Sequence, residues 1–271
     1  MPELPEVETT ARGIEPHLMN RRIERLRVHE PRLRWRVHGR LADWARGQDV
    51  RGVRRRGKYI LIDLSRGWLL LHLGMSGSLR ILPDSTARET HDHFDVELDS
   101  RWTLRFNDPR RFGSLHHGEG DPLAHPLLAK LGPEPLAPEF TADYLFRKTR
   151  GRRVAVKLLI MNSQIVVGVG NIYASEALFR AGIRPGRAAK SLTREECAGL
   201  VKAIRAVLAM AIRHGGTTLR DYVGAGGEPG YFRQKLYVYE RAGEPCRKCG
   251  ALVKHRVQGQ RSTYWCGDCQ H

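Results

Sequence analysis

The sequence predicts an α+β chain of more than one domain: an N-terminal β-sandwich led by a helix, then a helical domain, then a small metal-held hairpin. Three observations carry this. Short apolar runs with strand character crowd the first half, helical periodicity takes over after a proline-rich stretch, and four of the five cysteines form two close pairs near the end. A chain of 271 residues is long enough for two ordinary domains, each with its own core.

In order along the chain, Val7, Ala11, Ile14 and Leu18 recur at helical spacing, and Pro5 suits the first turn of that helix. Tyr59 to Leu64 and Trp68 to Leu73 flank a Ser65-Arg66-Gly67 turn and read as a β-hairpin. Arg101 to Asn107 alternates, with Trp102, Leu104 and Phe106 on its apolar face and polar residues on the other. The run from Gly132 to Pro138 has no periodicity and reads as a domain linker. Thr193-Arg194-Glu195-Glu196 has capping-box spacing. It opens a helix through Cys197, Leu200, Val201, Ile204, Leu208 and Ile212 that stops at Gly215-Gly216. Cys197 lies on the apolar face of that helix, so a buried thiol is expected. A glycine-rich loop follows at 224–230. The expected domains are therefore 1–132, 139–232 and 233–271.

Lys and Arg total 46 against 29 Asp and Glu, a formal net charge of +17, which points to a polyanionic partner such as DNA or RNA. With 41% hydrophobic residues the chain is globular, not a disordered basic tail. The residues from Met1 to Glu8 are acidic and proline-broken, unlike an export signal, and no apolar run could span a bilayer. A cytoplasmic protein without a membrane partner is expected. In that reducing compartment cysteines serve as metal ligands or free thiols. Cys246-x-x-Cys249 and Cys266-x-x-Cys269 suit one tetrahedral zinc ion. Four protein ligands leave no open position, so the ion is expected to be structural. The intervening segment is basic and aromatic, and a hairpin carrying Arg261 suits a phosphate contact.

Proline at position two permits removal of Met1, which would leave an N-terminal secondary amine. Such amines have a pKa of roughly 7.7 to 8.0, and a helix N-terminus lowers it further. The free base can attack a sugar C1′ and form an iminium. Glu3 and Glu6, three apart, can supply a proton donor and a substrate-orienting group, or they can simply complement the helix dipole.

These residues resemble the formamidopyrimidine-DNA glycosylase family of bacterial oxidised-purine glycosylases and abasic-site lyases. The likeness runs through Met1–Glu8, Arg55–Tyr59, His72–Gly77, Asp108–Gly113, Val167–Glu176, Pro229–Phe232 and the paired cysteines, and covers essentially the whole chain. It implies a β-sandwich with flanking helices, a helix-two-turn-helix domain and a zinc β-hairpin finger. It implies Pro2 as Schiff-base nucleophile, Glu3 as general acid, and Lys58 and Arg261 as further catalytic groups. Glu6 would help hold the damaged nucleotide. Met75, Arg110 and Phe112 would fill the gap left by an extruded nucleotide, and Asn171 and Arg261 would clamp phosphates. His72, His91, Lys157 and position 152 join the DNA-contact set. At position 152 a glycine is expected, but the chain has Arg152 directly after Gly151. The stretch 217–230 resembles the family's loop over the flipped base.

The implied activity is excision of 8-oxoguanine and formamidopyrimidines, then β- and δ-elimination at the abasic site. The implied protein is a monomer with one structural zinc ion, associated with the bacterial nucleoid through double-stranded DNA. Two alternatives stay open: an oxidised-pyrimidine glycosylase of the endonuclease VIII type, and a non-catalytic zinc protein that binds damaged DNA. Leu4, the Arg110-Arg111-Phe112 block and the long covering loop favour the purine-directed branch.

Overall fold

A computed structural model describes residues 2–216 and 235–271. They separate into two compact units, one of residues 2–129 with 214–216, the other of residues 130–213 with 235–271. The glycine-rich loop, the 217–230 covering loop, the Pro229–Phe232 block and Met1 lie outside the described residues.

The first unit opens with α1 (Leu4–Leu18), whose Val7, Ala11, Ile14 and Leu18 are all buried, as their spacing predicts. Then come β1 (Ile23–Val28), the short helix α2 (Leu41–Ala45), β2 (Val50–Arg56), β3 (Tyr59–Leu64) and β4 (Gly67–His72). They are followed by β5 (Ser78–Pro83), β6 (Asp92–Leu98), β7 (Trp102–Asn107) and β8 (Ser114–Gly118). The strands form two four-stranded sheets, ordered β1-β6-β7-β5 and β2-β3-β4-β8, with every pair antiparallel. Alternation puts Ile60, Ile62, Leu69, Leu71 and Leu115 of one sheet into a core with Leu79, Phe94, Val96, Leu104 and Phe106 of the other. The apolar stripe of α1 joins the same core. Phe94 and Phe106 stack at 5.0 Å within it.

β7 departs from the simple alternation. Leu104 and Phe106 are buried, but Trp102, at the strand's first position, is 40% exposed. The polar face is not left to water: Thr103 and Arg105 are buried too. Arg105 donates to both Asp95 carboxylate oxygens at 2.8 and 3.0 Å and to the carbonyls of Ala87 and Thr86. A buried guanidinium survives because it is paired and its donors are satisfied.

The second unit contains α3 (Ala142–Thr149), α4 (Val156–Met161), α5 (Asn171–Arg180) and α6 (Arg194–Arg213), then a hairpin of β9 (Val253–Gln258) and β10 (Arg261–Cys266). The predicted capping box starts α6: Glu196 N–H donates to Thr193 Oγ1 at 3.1 Å, and Thr193 N–H to the Glu196 carboxylate at 2.8 Å. Cys197 is fully buried, as expected. The proline-rich run at 132–138 is not a free tether. Arg205 of α6 donates to the carbonyls of Pro135, Ala137 and Phe140, and Val167 N–H to that of Pro133. Prolines lack donors but keep acceptors, so one half-buried cation can fix the path of the run.

Candidate active site and zinc centre

At the chain start, Glu3 is the N-cap of α1 with extended backbone (φ −101°, ψ −170°), and Pro5 occupies the first turn. Glu3 N–H donates to Glu6 Oε2 at 2.9 Å. Glu3 is thus a cap and Glu6 the third helical residue. They meet because the third helical residue reaches back to the cap, which satisfies one of the orphan amides of the helix start. Pro2, Glu3 and Glu6 are all buried, both carboxyl-bearing residues at 2% exposure. Gly216, at φ 81°, lies against the Glu6 carboxylate: a Cβ there would be 3.0 Å from Oε1. Residue 2 therefore sits at the positive end of a 15-residue helix, next to two shielded carboxyl groups.

Lys58 lies in the two-residue turn Gly57-Lys58 between β2 and β3, and Gly57 takes the left-handed conformation (φ 59°) such a turn favours. Arg55 pins this turn to α1: its Nε donates to Glu8 Oε2 at 2.7 Å and its Nη1 to the Gly57 carbonyl at 2.9 Å. Spacing along the chain does not reveal this tie, because Glu8 lies 47 positions from Arg55. His72 ends β4 and packs on the Tyr59 ring at 4.8 Å. Burial, then the charges of Lys58 and Arg34, push the His72 imidazole down to about 4. Its Nδ1 accepts from Gly74 N–H at 3.0 Å, so the neutral ring keeps its proton on Nε2 as a donor.

Met75 sits half-buried in the loop 74–77, and Arg110 and Phe112 are exposed in the loop 110–113. Glycine brings the two loops together: a Cβ on Gly74 (φ 67°) would fall 2.4 Å from Gly113 N and 2.5 Å from the Phe112 carbonyl carbon. The Arg110 guanidinium lies 5.1 Å over the Phe112 ring, which is 43% exposed. His91, exposed, holds a left-handed backbone (φ 73°) whose carbonyl accepts from Asp108 N–H at 3.0 Å.

In the second unit, Asn171 is the first residue of α5, behind Gly168 (φ 79°) and the N-cap Gly170. Its Nδ2 donates to the Ser262 carbonyl at 3.0 Å, tying α5 to β10 beside Arg261. Arg261 is exposed at the tip of the hairpin, after the Gly259-Gln260 turn. Arg152 is exposed and follows Gly151 (φ 71°). Lys157 corrects the expectation of a direct DNA contact. It is fully buried, and Nζ donates at 2.8 Å to both the Ser262 carbonyl and Thr263 Oγ1. Its ammonium braces the strand that carries Arg261. Sequence reading also missed Glu176, whose buried carboxylate accepts from the N–H groups of Tyr237, Val238 and Tyr239 at 2.9 to 3.0 Å. Burial pushes this carboxyl up, against the pull of those three donors.

The Sγ atoms of Cys246, Cys249, Cys266 and Cys269 lie within 4.8 Å of one another, with the 246–269 and 249–266 pairs at 4.0 and 3.4 Å. A tetrahedron of zinc–sulfur bonds of 2.3 Å has edges of about 3.8 Å, so the set fits one zinc ion. The local apolar core is small: Phe179, Val238 and Val253 besides two of the cysteines. The metal therefore supplies much of the hairpin's stability.

Family models match three consecutive parts of the chain. They are the formamidopyrimidine-DNA glycosylase N-terminal domain at residues 1–115, its H2TH domain at 131–223, and the zinc finger found in FPG and IleRS at 243–271. The formamidopyrimidine-DNA glycosylase of Thioalkalivibrio sulfidiphilus is 62% identical over the full length of both chains. The crystal structure of the MutM (Fpg) protein of Thermus thermophilus is 40% identical, with a TM-score of 0.89 over 99% of this chain and 98% of that one. A Lactococcus lactis Fpg variant solved with DNA containing Fapy-dG is 31% identical, with a TM-score of 0.94 over 100% of both chains. The wild-type Lactococcus protein, also 31% identical over 100% of both chains with a TM-score of 0.92, is solved with DNA containing an oxidised pyrimidine. Sandwich, helical region, zinc hairpin and sequence agree from end to end: this chain belongs to the formamidopyrimidine-DNA glycosylase family.

Proposed function

We propose that this enzyme acts in base-excision repair on double-stranded DNA, extrudes an oxidised purine, and releases it through a covalent bond between Pro2 and the sugar. The observation that carries this reading is the burial of Pro2 and Glu3 at the N-terminus of α1, beside the Glu6 carboxylate. Once Met1 is removed, the Pro2 nitrogen attacks C1′ as the glycosidic bond breaks, and the leaving base takes a proton. Glu3, kept from water, is suited to deliver a proton at the sugar or the leaving group. The C1′–O4′ bond then opens as O4′ takes a proton, and the resulting iminium is an electron sink. Loss of a C2′ proton expels the 3′ phosphate, and a second elimination expels the 5′ phosphate. The Lys58 turn and the neutral His72 Nε2–H place a cation and a donor on the same unit as Pro2, suited to a phosphate beside the lesion. Met75, Phe112 and Arg110 suit the vacated stack and the orphaned partner base.

In the second unit Asn171, Arg152 and Arg261 supply phosphate contacts. The zinc ion holds the hairpin that carries Arg261 and takes no chemical step. The enzyme works as a monomer at the bacterial nucleoid, and no described helix is long and apolar enough to cross a membrane. The domains proposed from sequence, 1–132, 139–232 and 233–271, describe its working parts. The Lactococcus complex with an oxidised pyrimidine makes such a lesion the proper comparison substrate. Single-turnover excision from matched duplexes carrying 8-oxoguanine or thymine glycol decides the branch. Faster release of 8-oxoguanine is expected, and a clear preference for thymine glycol would assign the enzyme to the pyrimidine side.

A further inference from the structure

We propose that Asp108 is a positioning residue that holds Met75, Arg110 and Phe112 as one rigid wedge for the duplex and ties the His91 turn to it, a role that rests on the stack-filling function proposed for the first three side chains. Asp108 follows the last residue of β7 and is fully buried. Its Oδ1 accepts from Ser76 Oγ at 2.7 Å, the residue after Met75, and from the backbone N–H of Arg110 at 3.2 Å. Its Oδ2 accepts from Gly113 N–H, the residue after Phe112, at 2.8 Å. Its main chain reaches the third loop: Asp108 N–H donates to the His91 carbonyl, and the Asp108 carbonyl is 2.7 Å from His93 Nε2. One residue thus bonds to each of the three loops that carry Met75, His91, and Arg110 with Phe112.

The loops need such a tie. His91 and Arg111 hold left-handed backbones at φ 73° and 57°, which cost energy unless their surroundings fix them. Phe112 is 43% exposed and carries the Arg110 guanidinium over its ring, so its direction depends on the path of its backbone. A wedge that must fill a vacated stack acts only if it is already aimed; ordering it during extrusion would add to the cost of flipping. A carboxylate suits this place because it is acceptor-only, and the three groups facing it are two N–H donors and a hydroxyl. An asparagine would keep one acceptor oxygen and turn its amide NH2 toward a donor.

The test compares Asp108→Asn, Ser76→Ala and Phe112→Ala on two substrates: an 8-oxoguanine duplex, and a single-stranded oligonucleotide with a preformed abasic site, which has no stack to fill. Asp108→Asn is expected to slow duplex excision about tenfold or more, the scale of losing a hydrogen bond to a charged group. Cleavage of the abasic single strand should stay within about twofold, because no wedge is used there. Ser76→Ala, which removes one bond without disturbing the sheet, should give a smaller loss with the same substrate selectivity, and decides the matter if Asp108→Asn does not fold. Equal losses on both substrates, or an Asp108→Asn enzyme with normal duplex excision where Phe112→Ala is slow, would overturn the role of Asp108. If Phe112→Ala, Met75→Ala and Arg110→Ala all excise normally from duplex, the wedge reading itself fails and this proposal falls with it.

Discussion

A carboxyl group that is to lend a proton works best where water cannot level its acidity, and Glu3, at 2% exposure, meets that condition. Glu3→Gln keeps the shape and removes the proton. It should lower base release from an 8-oxoguanine duplex by about 10²- to 10⁴-fold and leave covalent trapping on a preformed abasic site largely intact. Single-turnover kinetics on the two substrates measure this; equal loss on both would mean that Glu3 does not act on the departing base. Among the histidines, burial first and then neighbouring charges hold both His72 and His116 down at about 4. The unfolded chain then binds more protons than the fold below the ordinary imidazole range, near pH 6.5. Their contribution to stability is complete above that range and is lost as the pH falls toward 4. Glu176, pushed up by burial, titrates in the opposite sense, so the informative comparison is between variants. His116→Gln should flatten the fall in unfolding free energy between about pH 7 and pH 5; an unchanged slope in urea melts would contradict the assignment.

At the scale of elements, the Lys58 turn is placed by a tie to α1 and not by its own sequence. Arg55 and Glu8 are 11% and 19% exposed as side chains, and burial pulls the Glu8 carboxyl up while Arg55 and Arg12 more than offset it. Arg55→Ala should cost about 1.5 to 3 kcal/mol of stability, the range for hydrogen bonds to a charged partner, and should slow the lyase steps more than DNA binding. Chemical denaturation and abasic-strand cleavage check the two parts; a stable variant with normal cleavage would remove Arg55 from the account. The zinc hairpin has the opposite character, with many exposed basic residues over a small core. Stripping the metal with a chelator should abolish duplex binding while far-ultraviolet circular dichroism keeps the signal of α3 to α6, and zinc should restore binding. Retained affinity without zinc would show that the hairpin folds on packing alone.

Over the whole molecule, local patterns were legible in the sequence and long-range ties were not. The stripe of α1, the β3–β4 hairpin, the box at the start of α6 and the cysteine pairs each depend on neighbours within a few residues, so spacing reveals them. The hidden face of β7 depends on a segment some eighteen positions earlier, where Ala87 and Thr86 cap Arg105. Lys157 reads as a surface cation until β10, 105 positions on, closes over it. Asp108 reads as the start of a loop motif, and only the fold brings Ser76 to its carboxylate, 32 positions away. Resemblance carried the site residues further than periodicity could, because a nucleophilic residue 2 has no periodic signature.

The proposed chemistry stands on a covalent bond between the Pro2 nitrogen and the sugar. Borohydride trapping on an 8-oxoguanine duplex, followed by peptide mass mapping of the reduced adduct, tests it directly. A single adduct is expected, on an N-terminal peptide that begins at Pro2, with Met1 absent. An adduct on Lys58 or any other lysine, or full activity in protein that retains Met1, would contradict it.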